Sequence, residues 1–179
     1  ADPIEKKPFY HLFPGSTETQ LGRGAWRDAA NQILPIPSPV NVGFQSQYDS
    51  TTRVLTVTVE LYYTNNSPQA TNFINVALTQ NNILGPQTGG GAGNNYNHKH
   101  ALRHLLTGQW GDPVTTTTQG SVVSRTYIYT VPTTYINVPC NMNNCDISVF
   151  VTVSQQDIYT GVSGSAIGGS SNGETALYI

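Results

Sequence analysis

The sequence predicts an all-β fold, an antiparallel β-sandwich of the jelly-roll or immunoglobulin-like kind. In many short segments, apolar and polar residues alternate with a period of two, as in strands with one buried and one solvated face. Clusters of Gly, Pro, Asn, Asp and Ser separate these segments, and about six or seven strands in series are typical of a sandwich. With 179 residues, the chain is long enough to bury a core without disulfide staples.

The first 34 residues are predicted to form a lead-in to the sandwich, which itself spans residues 35–179. The lead-in is extended or helical, with a short helix at 24–34, because apolar residues recur there at helical spacing. These residues are Trp26, Ala29, Ala30 and Ile33. Pro35 then stops any helix. Since the chain starts with Ala1-Asp2-Pro3 and has no signal peptide, we expect a processed or excised piece of a larger protein.

The strands are predicted from the alternation itself. It runs from Val40 to Tyr48 and from Leu55 to Tyr63, with a turn at 49–52, which predicts an antiparallel hairpin. Further strands are expected at 73–80, 122–131, 147–153 and 157–166. A flexible tail is predicted at 168–175 and a last short strand at 176–179. The Gly-rich loop at 86–97 is long, and long loops are often functional.

The two cysteines, Cys140 and Cys145, lie in a turn-rich segment with four residues between them. This interval would let them close a small loop, so a disulfide is predicted, which fits an oxidising compartment. Two free thiols are the alternative. A zinc site would need two more ligands, and the sequence has no second cysteine pair.

The composition excludes several classes of partner. Charged residues make up 10% of the chain, against about 25% in an average domain, and the net charge is −2. No broad basic field is available for nucleic acid. No apolar run is long enough to span a membrane as a helix. Asn, Gln, Ser, Thr and Gly supply the polarity instead, as in many exported β-proteins.

The most distinctive stretch is Asn94–Leu106, which contains three of the four histidines and follows the glycine run. Two interpretations compete. In the structural one, the apolar residues pack onto the sheet while Arg103 or the histidines donate to loop carbonyls. In the other, the basic and aromatic side chains contact a ligand. The candidate contacts are Tyr96, His98, Lys99, His100, Arg103 and Trp110.

A metal site is a further alternative for this stretch. His98 and His100 would share one face of a strand, whereas His100 and His104 would share one face of a helix. Asp112 would be a further ligand. The charges of Lys99 and Arg103 oppose this hypothesis if they lie close to the imidazoles, so the preferred prediction is no metal and no cofactor.

Catalysis has little support in the sequence. The run Gly89–Gly93 lacks the Gly-Lys-Ser/Thr ending of a phosphate loop. No Gly-x-Ser-x-Gly elbow stands between a strand and a helix. The carboxylates Asp49, Asp146 and Asp157 fall at strand edges, where turn roles account for them. We therefore predict no catalytic residues and no enzyme activity.

Three segments together resemble a known family. They are Val76-Ala77-Leu78-Thr79-Gln80-Asn81-Asn82-Ile83 followed by Gly85-Pro86-Gln87, then Tyr96-Asn97-His98-Lys99-His100-Ala101-Leu102-Arg103, and then Leu106-Thr107-Gly108-Gln109-Trp110-Gly111-Asp112. The pattern resembles the C-terminal β-domain of the Omp28-related outer-membrane proteins of Bacteroidetes, over residues 35–165. The resemblance implies an exported protein, often a surface lipoprotein with a thioredoxin-like domain upstream, and brings no catalytic residues.

These observations together predict an extracytoplasmic protein, at the bacterial outer membrane or cell surface or secreted. We expect a non-enzymatic binding module, adhesin- or receptor-like, that recognises a protein or glycan on another cell or in the same surface assembly. Exposed Tyr, Asn and Thr suit such recognition, because they give contact area at low entropy cost. Metal binding at the histidine segment is one alternative. A structural spacer or assembly module of a larger surface protein is the other.

Overall fold

The computed structural model describes residue 24 and residues 26–88, 91–153 and 157–172. It contains one short helix, α1, at Trp26–Ile33, followed by thirteen strands. The strands are β1 Val40–Asp49, β2 Val54–Tyr63, β3 Asn72–Gln80, β4 Ile83–Gly85, β5 Tyr96–His98, β6 Ala101–Leu105, β7 Asp112–Val114, β8 Val122–Thr130, β9 Thr134–Tyr135, β10 Val138–Pro139, β11 Cys145–Thr152, β12 Ile158–Ser165 and β13 Ser170–Asn172. The predicted domain boundary at 34/35 stays a prediction.

Two antiparallel sheets form the sandwich, which confirms the predicted fold class. The first has the order β13-β1-β2-β8, and the second has the order β12-β11-β3-β6, with β7 also paired to β3. The predicted hairpin at 40–63 is confirmed, since β1 and β2 pair without a register shift from Val40↔Tyr63 to Asp49↔Val54. Two small hairpins, β4–β5 and β9–β10, are attached to this frame.

The core lies between the two sheets and is built from the alternating apolar residues of their long strands. Fully buried side chains include Leu55, Val57, Val59 and Leu61 of β2 and Ile74, Val76 and Leu78 of β3. Each such side chain contributes about 1.5–3 kcal/mol by leaving water. One polar pair is buried with them: the Tyr63 hydroxyl donates to Asn72 Oδ1 at 2.9 Å. Burial raises the pKa of Tyr63 to about 12, so it stays a donor.

One side of the sandwich is closed by the chain itself. After β12 the chain turns at 166–169 and enters β13, which pairs with β1 in the opposite sheet. Ser46 holds this turn, because its N–H donates to Gly169 O at 2.8 Å and its hydroxyl to Ser165 O at 2.9 Å. A Cβ at position 169 would collide with the Ser165 carbonyl oxygen, so the turn requires glycine.

The sequence-based expectation for this region was partly wrong. Residues 168–175 were predicted as a flexible tail, but Ser170–Asn172 is a strand paired to Gly43–Gln45. Three residues rich in serine carry too little alternation to be recognised as a strand. The predicted final strand at 176–179 and most of the lead-in, residues 1–23, lie outside the described residues.

The helix α1 is too short to cross a membrane, and no other helix in the described ranges meets the length and hydropathy that a span requires.

Candidate binding surface

The distinctive stretch of the sequence begins in the small β4–β5 hairpin, whose tip is the Gly-rich loop. The base of the hairpin is fixed to the sandwich by side-chain amides. Asn81 accepts from the His100 N–H at 2.9 Å and donates to Asp146 Oδ2 at 2.7 Å. Asn97 in turn donates to Asn82 Oδ1 at 3.2 Å. Asparagine amides thus hold the start of β6 and the end of β3 in one geometry.

Tyr96, His98, Lys99 and His100, here called the display segment, project from this hairpin and the turn after it. Tyr96 is 41% exposed, and its ring packs edge-to-face on the His98 ring, with centroids 4.8 Å apart. Lys99 and His100 are exposed. His100 has a φ of 52°, an unfavourable left-handed conformation for a histidine. The bond from its N–H to Asn81 holds that conformation.

Arg103 is directed elsewhere by a β-bulge. In the β3–β6 pair, Leu78 faces His104 but Thr79 faces Leu102, so Arg103 is the extra residue on β6. Its Nη2 donates to Val138 O at 2.8 Å, and its Cζ lies 4.6 Å from the centroid of the Tyr135 ring. The predicted ligand contact is therefore a structural bond to the β9–β10 hairpin. This is the role that the structural interpretation gave to this side chain.

His104 is also committed to the sandwich. Its ring stacks on Tyr129 of β8, with centroids 4.0 Å apart and planes 7° from parallel. The Tyr129 hydroxyl lies 3.0 Å from the Tyr135 hydroxyl, which connects this stack to Arg103. Burial lowers the pKa of His104, because the charged imidazolium loses water. Arg103, His104, Tyr129 and Tyr135, here called the Arg103 cluster, tie β6, β8 and β9 together.

Trp110 lies at a distance from the display segment, although both belong to the predicted site. Trp110 is 53% exposed and directly precedes Gly111, where a Cβ would lie 2.7 Å from Ile74 O. His100, by contrast, is bonded to Asn81 at the other end of β3. At about 3.4 Å per strand residue, the positions from Ile74 to Asn81 separate the two by roughly 20 Å. One small ligand cannot contact both.

The same geometry contradicts the metal hypothesis for His98, His100, His104 and Asp112. Asp112 pairs with Ile74, at the far end of β3 from His100. His104 faces Tyr129 rather than the other histidines. Among all residues that the structure describes, no three His, Cys, Asp or Glu side chains are grouped so as to hold a metal ion.

The predicted disulfide is absent. Cys140 and Cys145 are buried free thiols whose Sγ atoms lie 3.9 Å apart, nearly twice the length of an S–S bond of about 2.05 Å. The Cys145 thiol donates a hydrogen bond to Asn141 O at 3.3 Å. The pKa of Cys140 is lowered to about 7 by its hydrogen bond with Cys145 and by the charges of Arg103 and Arg53, which outweigh the opposite effect of burial. The pKa of Cys145 is raised, chiefly by the same bond.

Arg53 is a structural residue that the sequence did not reveal. Its Nε donates to Val131 O at 2.8 Å, and its Nη2 donates to Pro132 O at 2.9 Å. Arg53 and Arg103 thus hold the 131–140 segment from two directions. These contacts join residues 78 positions or more apart, so no local pattern marks them. The only local signal is the turn after Asp49, whose carboxylate caps Thr51 N–H at 2.8 Å and so presents Arg53.

Comparison with known proteins identifies a family whose model matches most of the chain. The model of a family described as outer membrane protein Omp28 matches residues 16–171 of the chain. No curated protein matches the sequence.

Two solved structures from Porphyromonas gingivalis are similar to the chain. One is a domain of the outer membrane lipoprotein Omp28, at 20% identity over 72% of this chain and 88% of that one, with a TM-score of 0.49. The other is HBP35, at 15% identity over 84% of this chain, with a TM-score of 0.66. The match covers 48% of the HBP35 chain, so this chain spans about half of it. At this identity, the HBP35 match shows a shared fold alone.

Proposed function

The chain belongs to the Omp28 family of outer membrane proteins, and we propose that it acts there as a non-enzymatic surface module that binds a protein or a glycan. Membership confirms the resemblance carried by the Tyr96–Arg103 motif. It also places the chain outside the cytoplasm, at the outer membrane or cell surface. The partner, on another cell or in the same surface assembly, is the part that we propose.

The observation that carries the proposal is the fixed geometry of the display segment. An exposed tyrosine ring braced by His98 gives a flat apolar surface, and such surfaces stack on sugar rings or on apolar side chains. Lys99 and His100 add hydrogen-bond donors beside it. Because the Asn81 bond already orders the turn, little conformational entropy would be lost on binding.

Binding arrays of glycans and of extracellular proteins, probed with the purified chain, test the proposal. The variant for comparison is Tyr96→Ala with Lys99→Ala, and His100→Asn is added because asparagine tolerates the left-handed backbone. We expect the wild type to bind a defined set of spots and the triple variant to lose at least tenfold in signal on them.

Trp110→Ala is the matched control, because it removes an exposed aromatic residue roughly 20 Å away. It should bind as the wild type does. A wild-type array without specific signals would refute the proposal and favour the spacer or assembly role. A triple variant that stays folded and binds normally would refute the assignment of the display segment.

A further inference from the structure

Strand β8 is an edge of the first sheet, since only β2 pairs with it in the part of the chain that the structure describes. The β2–β8 register runs from Val54↔Thr130 to Tyr62↔Val122 without a shift. Val131 N–H donates to Arg53 O at 2.9 Å, and Tyr63 N–H donates to Ser121 O at 3.0 Å. Because bonded residues alternate along an antiparallel pair, the intervening backbone groups point away from β2. They belong to Val122, Ser124, Thr126, Ile128 and Thr130.

This edge lacks the devices by which the other edges of the sandwich are blocked. Proline, bulges, short length and charge are the usual protections against edge-to-edge pairing. In this molecule β7 carries Pro113, and β6 is interrupted by the Arg103 bulge. The pairing of β12 shifts between Val151 and Thr152, and β13 has three residues within the part of the chain that the structure describes. Strand β8 has nine residues, no proline and no register shift.

The outer surface of β8 is also apolar where it is most exposed. Val122 is 59% exposed and Ile128 is 72% exposed. The one charged residue of the strand, Arg125, donates to the outward-facing Ser124 O at 2.9 Å, and pairing at this edge requires the exposed Arg125 side chain to release that carbonyl. An unpaired edge of this length is a template for one more antiparallel strand.

We propose that the β8 edge pairs with β8 of a second copy of the chain, in an antiparallel register centred on Thr126. This register overlaps the whole strand and satisfies all of its outward N–H and C=O groups. It places Thr126 opposite Thr126 of the other copy, Ser124 opposite Ile128, and Val122 opposite Thr130. The two four-stranded sheets then join across a two-fold axis.

The side chains fit this arrangement. The Thr58 and Thr126 hydroxyls already form a cross-strand pair at 3.2 Å, and the dimer continues it as a threonine row across both copies. Arg125 comes opposite Tyr127 of the second copy, a cation–aromatic pairing. A register centred on Arg125 would instead place Arg125 opposite Arg125 of the second copy, and repulsion between the two like charges disfavours that register. Self-complementarity therefore favours a second copy over an unrelated peptide.

A cysteine scan tests the register directly. Cross-linking needs Cα atoms about 4.4–6.8 Å apart, a distance that directly opposed strand residues satisfy. Under mild oxidation, Thr126→Cys should form a covalent dimer on a non-reducing gel. Ile128→Cys should form much less, because the two introduced thiols lie four residues out of register. Equal cross-linking of both variants, or none, would overturn the proposed register.

Sedimentation across a wide concentration range tests the dimer itself. The wild type should approach twice the monomer mass as concentration rises. Ser124→Lys with Ile128→Lys opposes like charges and should remove the dimer, whereas Ser124→Glu with Ile128→Lys opposes unlike charges and should restore it. Gln47→Lys adds a charge at an exposed position of β1 in the same sheet, away from β8, and should leave the dimer unchanged. A wild type that stays monomeric at every concentration would overturn the proposal. If the outward-facing β8 amides of that monomer were nevertheless protected from hydrogen exchange, the edge would be paired within one chain, and the proposal would be overturned in that case too.

Discussion

Arg103 shows how one irregularity in a strand decides the role of a side chain. The extra residue at the β6 bulge lets Arg103 reach Tyr135 and Val138, while its neighbour His104 reaches Tyr129. The Tyr129 and Tyr135 hydroxyls contact each other, so both residues end in one cluster at the open side of the sandwich. Arginine suits this position, because its planar guanidinium stacks on a ring while it donates a hydrogen bond.

Replacement of Arg103 by alanine should destabilise the fold. A hydrogen bond from a charged donor contributes about 1.5–3 kcal/mol and a partly buried cation–π contact about 0.5–2 kcal/mol, so we expect a loss of about 2–5 kcal/mol. Urea denaturation measures this loss. Lys99→Ala is the control and should change the free energy of unfolding by less than about 0.5 kcal/mol, because Lys99 is exposed and lies outside both the Arg103 cluster and the β8 edge. Equal effects of the two substitutions would contradict the structural role of Arg103.

His104 should make the stability depend on pH. Burial lowers its pKa in the folded protein, so on acidification the unfolded chain takes up the proton first. This contribution therefore weakens stability as pH falls through the ordinary histidine range near 6.5. His104→Phe keeps a ring against Tyr129 and removes the titration, so its melting temperature should fall less between pH 7.5 and about 5.5. Identical pH profiles for the two proteins would contradict this account.

The cysteines give a third test at this scale. With both thiols free, denatured protein prepared without reductant should titrate two thiols per chain with Ellman's reagent. Cys140→Ser should titrate one. A wild-type value near zero would show that the disulfide expected from the sequence forms after all.

At the scale of elements, the β9–β10 hairpin has two consecutive non-glycine residues in the left-handed region. Its two-residue turn places Ile136 at φ 47° and Asn137 at φ 63°, the geometry of a type I′ turn. A β-branched residue is unfavourable there, and Ile136 is 97% exposed, so no packing compensates. The hairpin keeps its shape because Arg53 and Arg103 hold its base.

Ile136→Asn should therefore stabilise the protein, by about 1 kcal/mol, because asparagine adopts the left-handed region more easily. Thermal unfolding measures the gain. Ile128→Asn is the matched control: it replaces another exposed isoleucine, but in ordinary strand geometry, and should be neutral or destabilising. A loss of stability in Ile136→Asn would contradict the assignment of strain to this turn.

The long strands could be predicted from the sequence because alternation over eight to ten residues is unambiguous, as in β1, β2 and β11. The short ones could not: β4, β5 and the described part of β13 have three residues each, and their pairing depends on the strands around them. The candidate site was predicted in part. Tyr96 to His100 are neighbours in space as in sequence, but a bulge redirects Arg103, and a run along β3 carries Trp110 away.

At the scale of the whole molecule, the residues that stabilise the sandwich and the residues of the display segment lie in different places. One side is closed by the crossing into β13, and the opposite side is held by the Arg103 cluster beneath the β8 edge. The display segment stands on a hairpin outside both sheets. A substitution there should consequently leave the core intact, which makes binding and folding separable by experiment.

The most direct test measures array binding and urea unfolding on the same preparations of Tyr96→Ala and Arg103→Lys. Lysine keeps the charge but cannot stack and donate as the guanidinium does. We predict that Tyr96→Ala unfolds at the wild-type urea concentration and loses binding, and that Arg103→Lys unfolds at lower urea yet binds normally while folded. Tyr96→Ala that unfolds early, or folded Arg103→Lys that fails to bind, would contradict the division between the display segment and the Arg103 cluster.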